Sequence, residues 1–154
     1  MNRIEEFSKF VDALLEVTRV MHNYDKRPRC YGTDVELYAA EIHTLDKIYN
    51  QEGMTVTELA ELTNKTKSAI TQLTNKLEKK GMIQKLRNKE YHKEINLYLT
   101  QLGKDACKYH KELDESNYIE ALKYFDGYEI EDFHKCEDIF QIVIGRMNEM
   151  GRDK

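Results

Sequence analysis

Between Thr66 and Lys80 the chain sets Lys67, Ser68, Thr71, Gln72, Asn75 and Lys76 at alternating one- and three-residue steps, the spacing that lines residues along one side of a helix. All are hydrogen-bonding side chains of modest size, on an element slim enough to enter the major groove of duplex DNA. Gln72 can pair bidentately with adenine and Lys67 can reach guanine, while Ser68 and Thr71 can bond phosphates or bases. Thr71 also carries a methyl that suits thymine. Thr66 stands where it can cap the helix, and the helix start itself favours a phosphate.

Charge supports the same chemistry. From Asn64 to Lys93 nine basic residues face two acidic ones, a local net charge of +7 in a chain whose total is −4. The remainder therefore carries −11. This asymmetry suggests a polyanion-binding face on an acidic body, set against the plainer reading of a solvated lysine-rich helix. A second chemistry is metal binding: His110 and Asp114 stand four apart on one helix, Cys107 stands three before His110, and His43 lies near Glu41. The three cysteines, Cys30, Cys107 and Cys136, are odd in number and widely spaced, which argues for reduced thiols rather than a disulfide framework. The run KRPRC around Cys30 leaves room for a reactive thiol. No nucleophile with a nearby base, glycine-rich phosphate loop or HExxH motif is present, so no enzyme is expected.

These residues need elements to hold them. One proline and seven glycines in 154 residues argue for a mainly α protein with short connections. The heptad-like spacing of Ile4, Phe7, Val11, Leu14, Thr18 and Met21 predicts a helix over 3–23, broken by YDKRPRCYG. A second helix is expected from about Asp34, as N-cap, to Tyr49. Thr55 and Glu58 form a capping-box signature opening a short helix with Val56, Leu59, Ala60 and Leu62 inward. After a polar break at Asn64 and Lys65, a further helix turns Ala69, Ile70, Leu73 and Leu77 inward and ends at Gly81. Two short helices joined by a turn outline a helix-turn-helix. The period then changes to alternation, with Ile83, Ile95, Leu97 and Leu99 inward, predicting a hairpin whose basic tip RNKEYHK spans 87–93. A long helix over Gln101–Phe125, with Leu102, Ala106, Tyr109, Leu113 and Leu122 buried, and a last helix from about Glu129 to Met150 complete the chain. The last helix repeats the heptad-like stripe (Phe133, Cys136, Phe140, Val143, Met147, Met150), and two such stripes at the chain ends suit a helical dimer interface.

The order of these elements, the segment ELAELTNKTKSAITQLTNKLEKKG and the LT-xx-G of Leu99, Thr100 and Gly103 resemble the MarR family of winged helix-turn-helix transcriptional regulators over essentially the whole chain. The resemblance implies a winged helix-turn-helix lobe over 34–100, with 1–33 and 101–154 forming a helical dimerisation region. It implies a homodimer on duplex DNA with a pseudo-palindromic operator, acting as a repressor released by an effector. Carried over, Lys67, Ser68, Thr71, Gln72 and Asn75 are the contacts of the recognition helix. The wing departs from the family pattern. Where an Asp-x-Arg is common at its tip, Tyr91, His92 and Lys93 stand here, so Arg87, Lys89, His92 and Lys93 share the wing contacts. His43 and His110 match histidines of the family's zinc-sensing branch, which with Asp114 makes a zinc-responsive regulator the alternative. A tyrosine-rich crevice (Tyr24, Tyr31, Tyr38, Tyr109, Tyr118) would suit a small aromatic or lipophilic effector. No resident cofactor is expected. A cytoplasmic location follows from the absence of a membrane-length apolar run. A further alternative is a winged-helix interaction module without DNA.

Overall fold

The computed structural model of the chain describes residues 2–87 and 94–152. Its elements are α1 (Arg3–Asp25), β1 (Arg29–Cys30), β2 (Glu36–Leu37), α2 (Ala39–Asn50), α3 (Val56–Leu62), α4 (Lys67–Lys79), β3 (Ile83–Arg87), β4 (Ile95–Leu99), α5 (Gln101–Leu122), a 3-10 turn (Lys123–Phe125) and α6 (Ile130–Arg152). By backbone contacts they divide into two units, Met1–Leu113 and Asp114–Lys154.

In the first unit, α2, α3, α4 and the β3–β4 hairpin surround one core. Leu37, Ile42, Leu45, Ile48, Leu59, Ile70, Leu77, Met82 and Leu97 are fully buried in it. The hairpin pairs Ile83 with Leu99, Lys85 with Leu97 and Arg87 with Ile95, and of these Ile83, Leu97 and Leu99 are buried in the core. The chain before α3 joins this sheet: Gly53 N–H donates to the Leu97 carbonyl and Leu97 N–H to the Met54 carbonyl, both at 2.9 Å. The LT-xx-G motif closes the hairpin onto α5. Thr100 Oγ1 donates to the Gly81 carbonyl at 2.6 Å and accepts from Gly103 N–H at 3.1 Å. A Cβ at Gly103 would lie 2.2 Å from the Met82 carbonyl oxygen, so only glycine lets α5 approach this closely.

Several sequence expectations are corrected. The second helix starts at Ala39 rather than Asp34, because Arg29 and Cys30 pair with Leu37 and Glu36 and hold that stretch extended. Leu62 and Ala69 are exposed. They flank the helix-turn-helix turn, and Thr74 takes an inward place that its polarity disguised. Ile95 is half uncovered at the far end of the hairpin. Tyr109 and Leu122 are exposed too; the Tyr109 side chain packs on Gly32, where a Cβ would meet its ring at 2.7 Å. No apolar residue of α1 is buried in the single chain: Ile4, Phe7 and Met21 are exposed, while Val11 and Leu14 are partly covered.

The second unit holds the end of α5, the 3-10 turn and α6. Phe125 stacks edge-on against Tyr128 and Phe133, with centroids 5.8 and 5.7 Å apart, across the turn at Asp126 and Gly127. The stripe of α6, including Phe140, Met147 and Met150, is exposed.

Candidate nucleic-acid interface

Both ends of the helix-turn-helix are built by the residues the sequence marks. Thr55 N–H donates to Glu58 Oε2 at 2.6 Å and Glu58 N–H to Thr55 Oγ1 at 3.2 Å, completing the capping box of α3. The backbone and hydroxyl of Thr55 hold the Glu58 carboxyl below its ordinary pKa. Asn64 adopts φ 50° in the turn, a conformation that asparagine tolerates. Thr66 Oγ1 then accepts Ala69 N–H at 3.2 Å and caps α4. No acidic residue occupies the first turn of α4, so its free N–H groups keep their attraction for an anion. Gly81, at φ 73°, ends the helix as expected.

The candidate contact residues then divide. Thr66, Lys67, Ser68, Thr71 and Gln72 are exposed on the N-terminal half of α4. Thr71 donates its hydroxyl proton to the Lys67 carbonyl at 2.7 Å, so what it offers a base is its methyl and an acceptor lone pair. Lys67, Thr71 and Asn75, one turn apart, line a cleft of about 500 Å³ together with Glu58 and Glu61 of α3 and Lys85 and Ile95 of the hairpin. Asn75 Oδ1 accepts a hydrogen bond from Lys85 Nζ, which also stands 3.6 Å from Glu78, so Asn75 braces the hairpin against α4. Lys76 Nζ lies 3.1 Å from Glu41 Oε1 and 4.8 Å from the centre of the Tyr38 ring. Arg87 is exposed at the end of β3, while Lys89, His92 and Lys93 lie outside the described residues.

Sequence reading gave Glu41, Lys80 and Lys85 no individual role at this face. Glu41 is buried, and its Oε2 accepts the Tyr38 N–H at 2.8 Å and Lys80 Nζ at 2.7 Å. Burial pushes its carboxyl pKa up, but the hydrogen bonds from Lys80 and Tyr38 and the Lys76 ammonium outweigh that and hold it below the ordinary value. The signal available in sequence was the i,i+4 pair Lys76 and Lys80, two cations on one helix side that need a shared counter-charge.

The candidate metal residues meet a different arrangement. His43 and His110 rings lie 5.4 Å apart, and His110 Nδ1 is 2.9 Å from Asp46 Oδ2 with Tyr31 edge-on at 5.1 Å. Asp114 opens the second unit. Among the described residues no group of three or more His, Cys, Asp or Glu is placed to hold a metal ion. Cys107 is buried beside Asp46, and burial first, then that carboxylate, push its thiol up to about 12. The four candidate effector tyrosines that fall in the first unit serve separate contacts: Tyr24 carries the Arg29 guanidinium at 3.7 Å, Tyr31 is buried, Tyr109 covers Gly32, and Tyr38 faces Lys76. Of these four, Tyr38 lines a cavity of about 430 Å³ between the end of α1, α2 and the helix-turn-helix turn.

With this geometry in hand, similarity to known proteins can be weighed. The sequence model of the MarR family matches residues 37–95, from the last residue of β2 to the first of β4. An uncharacterized HTH-type transcriptional regulator of Bacillus subtilis, YhjH, is 28% identical over 114 residues. That match covers 74% of this chain and 65% of the relative, so the chain spans less than two thirds of that protein's length. The crystal structure of Streptococcus pneumoniae FabT in complex with DNA superposes with a TM-score of 0.69 at 19% identity, covering 96% of this chain and 99% of that one. The MarR family transcription regulator SP03579 gives a TM-score of 0.76 at 14% identity, covering 95% and 97%. Similarity at these identities establishes the shared fold, a winged helix-turn-helix with long terminal helices. Over residues 37–95 the chain is thus similar to the MarR family, and it shares the winged helix-turn-helix fold of these structures.

Proposed function

We propose that the chain is a dimeric transcription regulator that reads duplex DNA through α4 and represses until an effector releases it. The observation carrying this reading is the N-terminal half of α4. Lys67, Ser68, Thr71 and Gln72 stand exposed on a capped helix with no acidic residue in its first turn, beside a hairpin whose strand ends in Arg87. The +7 charge of the stretch 64–93 supplies the sequence-independent attraction to phosphates. Association through 1–33 and 101–154 would cover the uncovered stripes of Ile4, Phe7 and Met21 and of Phe140, Met147 and Met150. Two copies related by a two-fold axis would require a pseudo-palindromic operator. A small effector has room in the cavity beside Tyr38.

The test is titration of purified protein against a duplex from its own upstream region and a shuffled duplex of the same composition. The reading expects a preference of about 10³-fold or more at physiological salt. Equal binding of both duplexes would overturn the sequence-specific reading, and binding of neither would favour the interaction module without DNA.

A further inference from the structure

The DNA-reading face owes its shape to a buried charge that lies outside it. Glu41 is 2% exposed, on the first turn of α2. Its Oε2 takes Lys80 Nζ and the Tyr38 N–H, and its Oε1 faces Lys76 at 3.1 Å as an ion pair without a hydrogen bond. Lys80 also donates to the Glu36 carbonyl at 2.6 Å. Both ammonium groups lie over the Tyr38 ring, at 4.8 and 5.8 Å. One carboxylate therefore caps α2 and ties the end of α4 to it.

Resting on the DNA-binding reading above, we propose that Glu41 is a positioning residue for sequence recognition: it docks the end of α4 and withholds Lys76 from the DNA phosphates. Docking one end fixes the rotation of α4 about its axis, which decides whether Lys67, Ser68, Thr71 and Gln72 meet base edges in register. Withholding follows from the burial of the carboxylate. Moving Lys76 to a phosphate would strip Oε1 of its counter-charge inside the protein, a cost that exposed lysines do not meet. Lys76 is nonetheless half exposed, with 52% of its side chain accessible, and is free to swing outward once that charge is removed. The cluster trades general affinity for specificity.

The test uses the full chain and measures salt-dependent binding to the upstream duplex and to a random-sequence duplex. In Glu41→Gln, Lys76 becomes a phosphate contact. The salt slope steepens by about 0.9, binding to random duplex rises about fivefold and the specific-to-random ratio falls about tenfold. A purely structural loss would weaken both duplexes together. In the double variant E41Q/K76A the slope returns to the wild-type value while the ratio stays low. In Lys76→Ala alone the slope is unchanged, and this variant decides the matter should E41Q fail to fold. The proposal is overturned if E41Q leaves slope and ratio unchanged, if it weakens both duplexes in parallel, or if K76A alone flattens the slope by about 0.9. A wild type that prefers no duplex sinks the DNA reading itself, a result distinct from each of these.

Discussion

Gln72 and Arg87 represent two kinds of contact, and their loss should read differently. Gln72 stands on the exposed side of α4 with an amide that matches an adenine edge, so Gln72→Ala should cost about 1–3 kcal/mol at the operator and relax the preference at one base position. Arg87→Ala should weaken operator and random duplex alike and flatten the salt slope by about 0.9, since a phosphate contact carries no sequence information. Competition binding against single-base operator variants separates the two outcomes. Cys107 offers an independent check on the core. With a thiol pKa of about 12, its thiolate fraction at pH 8 is roughly one in ten thousand, and it gains reactivity only as pH climbs toward that value. Iodoacetamide at pH 8 should label exposed Cys30 and spare Cys107 in the native protein, and label both in urea. At this scale the outward side of α4 was legible from spacing. What spacing could not reveal was that Asn75 and Lys76, also outward, are already engaged by Lys85 and Glu41 on elements distant in the chain.

Among the elements, those with local chemical signals were readable to within a residue or two. The capping box at Thr55 and Glu58, the Thr66 cap and the Gly81 stop bound α3 and α4, because their determinants lie within a few residues of each end. Thr55→Ala should therefore lower stability by about 1 kcal/mol in thermal or denaturant unfolding. Folding lowers the Glu58 pKa, so its contribution is present above the unfolded value and vanishes as pH falls through the folded one. The Tm gap between wild type and Glu58→Gln should accordingly be seen at pH 7 and close toward pH 3. The start of α2 was misplaced because its determinant is not local: β1 must fold back on β2 before Asp34 loses its claim to the cap. Gly103 was legible as part of a motif, but its reason is tertiary. Gly103→Ala drives a Cβ into the Met82 carbonyl and should cost about 1–3 kcal/mol, which chemical denaturation would register.

For the whole molecule, the apolar stripes of the terminal helices were visible as heptad-like spacing, and in the single chain most of their residues, among them Ile4, Phe7, Met21, Phe140, Met147 and Met150, are exposed. In the proposed reading these exposed stripes are covered by a second, identical chain. Analytical ultracentrifugation should find a dimer at micromolar concentration, and Phe140→Glu should shift it toward monomer and weaken operator binding with it. The central claim, that α4 reads sequence as part of a two-fold assembly, is tested most directly by selection from a random duplex library with the wild-type protein. The account predicts enrichment of an inverted repeat whose half-sites are about 10 base pairs, or a multiple, apart centre to centre. A library that emerges unenriched, or enriched only in base composition, would contradict it.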